Sequence, residues 1–325
     1  MNIQKTILQQ RTEFENNRKI YDSSLLKFHG ADGFDVYNCS VPFKCNGKEL
    51  IFGRVERRED WARSWVRLFS RTGPDDWTLV PGSMIYQLED PCVSRIGGLF
   101  VLGGTHVQYS RGEAAKFYGY FYRGSDIHDL TYFTTGPDNM KDIRLVEIRS
   151  GPYKGKIGVF SRPRGEEIRS KYGSESVIGF TVINDLNELT ADAIENAPAI
   201  DGLFDDGQWG GCNQCCSLES GDIGVIGHKS CRGADENGGE LLVYMNISFV
   251  FNCVDRVAKD LKIIGTRDCY PDAPPKKPEL ADCAFTSGIV AREDGKVDLY
   301  SGVGDAYQGR VTVDNPFAGY GGILE

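Results

Sequence analysis

No stretch of the 325 residues approaches the roughly 18 consecutive apolar residues that a membrane-spanning helix needs. The opening residues, MNIQKTILQQRTEFENNRK, lack the apolar core of a secretory signal. The expectation is a cytoplasmic protein that engages no membrane. Its ten cysteines then stay as thiols, and the sequons at Asn38 and Asn246 carry no glycan. Excess positive charge is lacking too: 37 Lys and Arg stand against 46 Asp and Glu, a net charge of −9, which argues against a nucleic-acid partner. Cys212, Cys215 and Cys216, with Cys231 further on, have no second C-x-x-C to complete a zinc set, so no metal is expected. His29, His106 and His128 have no evident partners in the sequence and are read as bland.

Long helical stripes are also scarce. Residues 3–20 read as one amphipathic helix, with Ile3, Ile7, Phe14 and the Arg11 stem on one side. After residue 28 short apolar runs alternate with Gly, Asn, Asp and Pro. Glycine makes up 39 of 325 residues, about 12% against a usual share of about 7%. Short strands joined by tight turns follow from that composition.

One pattern recurs five times: GKELIFGR from Gly47, GGLFVLGG from Gly97, GKIGVFSR from Gly155, GDIGVIGH from Gly221 and GKVDLYSG from Gly295. Each copy opens on a turn glycine. Four positions on comes a branched aliphatic residue (Ile51, Val101, Val159, Val225, Leu299), then a large apolar one (Phe52, Leu102, Phe160, Ile226, Tyr300). A second strand-like run precedes each copy, so the unit is a β-hairpin. Five hairpins at intervals of 50, 58, 66 and 74 residues predict an all-β fold, a five-bladed β-propeller with a short N-terminal helix. A pair of β-sandwiches is the alternative. The implied organisation is a helical extension over 1–27 and a catalytic propeller over 28–325.

The start of a hairpin's first strand and the end of its second lie at the same end. Polar residues collect there in every copy: Asp35, Asn38, Arg54 and Glu56; Glu89, Asp90 and His106; Lys141, Asp142 and Arg162; Trp209, Asn213 and His228; Asp282 and Asp305. Arranged around an axis, these ends form one rim and one ligand pocket. Arg54, Arg162 and His228 share the position seven residues after the glycine, where the other two copies have Gly104 and Gly302. Converging cations suit a phosphate, and small residues beside them would leave room for a sugar ring. Asp90-Pro91 is expected to begin a strand, because proline cannot donate to a ladder. That puts Asp90 at the opening, as a general acid for glycosidic cleavage. Glu89 is expected to alternate to the other face. Trp209, in Trp209-Gly210-Gly211, is either a stacking platform for a sugar or core packing. DAPPKKPEL, 272–280, reads as a surface connection between the last two blades.

The segments FDVYNCSVPF, GRVERRED, LEDPCVSRIGGLFVLGG, KDIRLVEI, GKIGVFSRP, WGGCNQ, IGVIGH, DCAFTSGIV and DLYSGVGD, in this order over residues 33–305, resemble the mannosyltransferase/phosphorylases of mannogen turnover. These are related to the inverting β-mannoside phosphorylases of the five-bladed propeller glycosidase superfamily. The resemblance implies that Asp90 is the acid. It implies that Arg162, His228, Lys141 and Arg54 bind phosphate, and that Asn38 and Asp305 contact the sugar. Asp35, Asp142, Trp209, Asn213 and Asp282 join them as substrate-binding candidates from their place on the rim. The implied reaction is inverting phosphorolysis of β-mannosides, β-1,2-linked mannan in particular, and the reverse synthesis. It produces or uses mannose 1-phosphate, with inorganic phosphate as co-substrate and no cofactor; some members also accept nucleotide-activated mannose. Cys92 stands where an arginine commonly follows Asp-Pro, so no phosphate contact is carried over there. An inverting hydrolase would need a second carboxylate as base, for which Asp35, Asp142, Asp206, Asp282 and Asp305 are candidates. That reading and a noncatalytic sugar-binding propeller stay open at the level of sequence.

Overall fold

The chain reverses at five glycines. Gly47, Gly98, Gly155, Gly221 and Gly295 have φ between 74° and 89°, a left-handed conformation that glycine adopts without steric cost. In the computed structural model, which describes residues 6–324, each of these turns joins the two innermost strands of a sheet. Blade 1 pairs Asp35–Tyr37 and then Phe43–Cys45, which leads into the turn, with Lys48–Glu56, and blade 2 pairs Glu89–Ile96 with Leu99–Ser110. Blade 3 pairs Arg144–Glu147 with Ile157–Ser161, and blade 4 pairs Trp209–Leu218 with Ile223–Ala234. Blade 5 pairs Ala284–Ala291 with Lys296–Val303. Further strands lie outside these, and the five sheets make a five-bladed β-propeller.

The ring closes through the N-terminal segment. Asp22–Leu25 is the outermost strand of blade 5, antiparallel to Tyr307–Asp314. The propeller sheets thus begin before residue 28, inside the stretch read from sequence as a helical extension. The helix itself runs Ile7–Asn17, opened by a capping box between Thr6 and Gln9. It is shorter than the expected 3–20: Asn16 and Asn17 are weak helix formers, Arg18 is extended, and Ile3 lies outside the described residues. Ile7 packs on Cys231, Val243 and Met245 of blade 4, and Phe14 on the seam between blades 4 and 5.

Successive residues of a strand face opposite sides, so each second strand feeds two neighbouring seams. Ile51 enters the core between blades 5 and 1, and Phe52 the core between blades 1 and 2. Val159 and Phe160, Val225 and Ile226, and Leu299 and Tyr300 are divided in the same sense. This is the physical reason for two adjacent apolar residues in every copy. Blade 2 departs by one residue, because its turn uses two glycines and Gly98, not Gly97, is the equivalent one. Leu102 then faces the preceding blade, and the position in line with Arg54 is Thr105 rather than Gly104.

Candidate active site

Four non-glycine residues at the mouth of the axis have left-handed backbones: Asn38 at φ 44°, Asp90 at 49°, Asp142 at 58° and Asp305 at 52°. Asn and Asp tolerate this conformation better than other side chains, and such outliers concentrate at functional sites. Asp90 is inside a β-bulge. The register of Glu89–Ile96 shifts between Glu89 and Cys92, where Pro91 needs no donor. The bulge cancels the alternation of faces, so Glu89 lines the same cavity as Asp90 instead of turning away.

That cavity has a volume of about 300 Å³, and its polar floor is Asn38, Arg54, Glu89, Asp90, Lys141 and Asp305. Asn38 Nδ2 donates to Asp90 Oδ1 at 3.0 Å and to Asp305 Oδ1 at 3.3 Å. Arg54 donates from Nη1 to Asp90 Oδ1 at 3.1 Å, from Nη2 to Glu89 Oε1 at 3.0 Å and from Nε to Ser64 at 2.7 Å. Both contacts to Asp90 fall on Oδ1, and Oδ2 accepts no hydrogen bond from the described residues. Burial pushes the Glu89 and Asp305 carboxyls upward, the Arg54 charge opposes this, and the Asp90 charge adds to it. Glu89 and Asp305 thus retain protons more readily than isolated carboxylates. Asn38 Oδ1 is buried and has no hydrogen-bond partner among the described residues.

A second cavity of about 270 Å³ adjoins the first, sharing Lys141, Arg164, Leu242, Tyr244 and Phe285 with it. Its other walls add two cations, Arg162 and Arg232, with His228, Ser176 and Trp209 beside them and Glu175 at the edge. Lys141 makes no ion pair with the described residues. Arg162 donates to Asp142 Oδ2 at 2.8 Å and to the Gly210 carbonyl at 2.7 Å. Burial would raise the Asp142 carboxyl, but Arg162 and Arg144 hold it well below the usual carboxylate range. His228 is fully buried, and its Nδ1–H donates to Asn213 Oδ1 at 2.8 Å. Burial, then the Arg162 charge, lowers its pKa from 6.5 to about 3, so the ring is neutral at pH 7. Nε2 is left without a partner among the described residues. It can accept from a protonated oxygen of a bound anion.

The residues expected on the rim fall into three groups. Asp90, Asn38, Asp305, Lys141, Arg162 and His228 line the two cavities. Asp142 and Asn213 lie behind them: they hold Arg162 and His228 and reach neither cavity, which corrects their reading as substrate contacts. Asp35 and Asp282 are removed from the site altogether. Asp35 accepts two bonds from Arg58, and Asp282 accepts two from Arg11 of the N-terminal helix. Arg54 is also corrected, since its guanidinium is committed to the acid cluster rather than to the anion cavity. Trp209 borders the cationic cavity but is only 7% exposed, and it packs edge-on to Tyr244 while donating to its hydroxyl at 3.2 Å. Gly302 leaves no space for a sugar: a Cβ there would sit 1.7 Å from Asn38 Oδ1, so the glycine makes room for Asn38.

Sequence reasoning missed Arg164, Arg232 and Tyr244. Strand alternation carried a signal for one of them, since Arg232 follows His228 by four residues within Ile223–Ala234. Among the described residues no three His, Cys, Asp or Glu side chains are grouped to hold a metal, and the ten cysteines are unpaired. No described helix is long and apolar enough to cross a membrane.

A family profile described as a protein of unknown function, DUF1861, matches residues 12–319. Comparison with curated proteins gives no match. Among solved structures, MPT-4, a mannose phosphorylase from Leishmania mexicana in complex with phosphate ion, is 50% identical. The alignment covers 98% of this chain and 96% of that one, with a TM-score of 0.92. MPT-1, a GDP-Man-dependent mannosyltransferase from the same organism, is 46% identical over 98% and 97% of the two chains, with a TM-score of 0.90. A β-1,2-mannobiose phosphorylase from Listeria innocua, 16% identical over 87% of this chain and 91% of that one, has a TM-score of 0.59 and shares the fold.

Proposed function

The chain belongs to the DUF1861 family and is 50% and 46% identical to the Leishmania mannose phosphorylase and mannosyltransferase, and from that premise we propose that it transfers mannosyl groups with inversion between a β-mannoside and phosphate. The observation that carries the reading is the pairing of two cavities. One holds an acid cluster around Asp90, the other an anion clamp built from Lys141, Arg162, Arg164 and His228.

In the degradative direction the β-mannoside lies over Asn38, Asp90 and Asp305. Asp90 gives a proton from Oδ2 to the glycosidic oxygen as the bond from that oxygen to the anomeric carbon breaks. A phosphate oxygen attacks the same carbon from the opposite face, with its charge held by Arg162, Lys141 and Arg164. The products are α-mannose 1-phosphate and a shortened saccharide. In the reverse direction the acceptor hydroxyl returns its proton to Asp90. We extend the proposal to β-1,2-linked mannan as the substrate and to the cytoplasm as the location, where the ten thiols would stay reduced.

Hydrolysis is the weaker reading. An inverting hydrolase needs a carboxylate base on the side away from the acid. The carboxylates there, Asp142 and Glu175, are each held between two arginines: Arg144 and Arg162 for the first, Arg169 and Arg232 for the second. For Asp142 the two arginines hold the carboxyl well below the usual carboxylate range, which makes it a poor base. Incubation with β-1,2-mannobiose, with and without inorganic phosphate, tests the proposal. Phosphate-dependent mannose 1-phosphate is the expected product. Free mannose formed without phosphate would establish the hydrolase instead. Turnover of GDP-mannose alone would keep mannosyl transfer and replace the donor.

A further inference from the structure

Inverting transfer puts the attacking phosphate and the departing saccharide on opposite faces of the transferred sugar. The cation clamp belongs to blades 3 and 4, so the saccharide must leave toward the other side of Asp90. There the cavity wall turns apolar. Val107, Ala114 and Phe117 line it from the tall hairpin of blade 2, and Trp61 and Ala62 from the loop after Lys48–Glu56 in blade 1.

Trp61 is unusual among these: it is 51% exposed, yet its loop is held in place. Ala62 has a left-handed backbone at φ 57°, and the Arg63 amide donates to Glu56 Oε1 at 2.7 Å. Arg63 lies 4.4 Å from the Tyr109 ring centroid and donates to the Gly112 carbonyl at 3.2 Å, tying the loop to the tip of the blade 2 hairpin. On the other side the Pro-rich connection 272–280 reaches across the ring closure. Lys276 pairs with the buried Glu56 and donates to the Arg57 carbonyl at 3.1 Å. Lys277 Nζ covers the Trp61 indole at 3.9 Å from the ring centroid. The loop that carries the indole is thus tied down on both sides and one ring face is covered, which lowers the ordering cost of using it.

Resting on the mannosyl-transfer reading, we infer that Trp61 is the stacking platform for the saccharide chain beyond the cleaved bond. It binds a hexopyranose ring past the one that accepts the mannosyl group, and so sets the preference for long over short acceptors. A half-exposed aromatic on a tethered loop at the lip of a sugar cavity offers an apolar face to the C–H face of a pyranose.

The test runs in the synthetic direction, with mannose 1-phosphate as donor and either mannose or β-1,2-mannotriose as acceptor. Relative to the wild type, Trp61→Ala is expected to lower kcat/KM for mannotriose about tenfold and for mannose less than about threefold, as loss of one stacking contact requires. Trp61→Phe should restore most of the loss. Equal losses on both acceptors, or none on either, would overturn the inference. If the wild type turns over no β-mannoside, the proposed function fails separately. Binding then decides the platform: with Asp90→Asn protein, calorimetric affinity for mannotriose weakened about tenfold by adding Trp61→Ala sustains it, and unchanged affinity overturns it.

Discussion

Arg54 Nη1 donates to Asp90 Oδ1 across 3.1 Å. The same guanidinium reaches Glu89 at 3.0 Å and Glu56 at 3.5 Å, so one buried cation meets three buried carboxylates, the last of which also pairs with Lys276. Removing one partner from a buried ionic cluster leaves uncompensated charge and costs about 3–5 kcal/mol. Arg54→Met should therefore lower stability by that order in urea denaturation and abolish turnover. A direct phosphate ligand would behave differently: the variant would keep its stability and need more phosphate.

Asp90→Asn is nearly isosteric. Its amide oxygen can still accept from Asn38 and Arg54, so the urea midpoint should stay close to that of the wild type. The amide has no proton to give to a glycosidic oxygen. Activity should fall by about 10²–10⁴-fold, the usual worth of general acid catalysis. Activity near the wild-type level with an intact fold would remove Asp90 from the acid role.

The repeat was readable because it reports a physical necessity: each second strand must supply one apolar residue to each of two seams, as Phe160 and Val159 do. The register of blade 2 was misread by one residue because both Gly97 and Gly98 can turn a hairpin. Asp90 was legible through its proline, but the bulge that brings Glu89 to the same side was not, since a bulge depends on the partner strand. The sharing of cations was illegible for a similar reason. Arg54 and Arg162 occupy equivalent positions, yet one meets three carboxylates and the other meets a single close one, a difference fixed by neighbouring blades. Asp35 and Asp282 looked identical to site carboxylates in sequence, and only the fold brings Arg58 and Arg11 to them. Trp61 was invisible because its placement depends on Lys276 and Lys277, more than 200 residues away.

Arg162 and Asp142 should be separable by a double-variant cycle. Arg162→Ala is expected to raise the KM for phosphate about tenfold or more, since a charge-assisted pair to an anion is lost. It should also destabilise the fold, because Asp142 is almost fully buried and, among the described residues, keeps Arg144 at 3.6 Å as its remaining ion-pair partner. Adding Asp142→Asn removes the stranded charge. The double variant should recover much of the stability while its phosphate KM stays high. Recovery of both would mean that Arg162 acts on phosphate through packing alone, contrary to its place in the clamp.

His228 makes the fold sensitive to acid. Its pKa is about 3 in the folded chain, lowered chiefly by burial, against about 6.5 in an unfolded one. Above about pH 6.5 the ring is neutral in both states and contributes nothing to the pH dependence. Below that the unfolded chain takes up a proton that the folded chain refuses, so stability falls as the pH drops, down to about pH 3. Between pH 6.5 and pH 5 the loss is about 2 kcal/mol. His228→Asn should flatten this part of the stability curve in urea denaturation at pH 5 and 7.5. Bound phosphate should flatten it as well, because an anion beside Nε2 favours the imidazolium and binds the folded chain alone. An acid slope that phosphate leaves unchanged would place His228 outside the anion site, even if the asparagine variant behaves as expected.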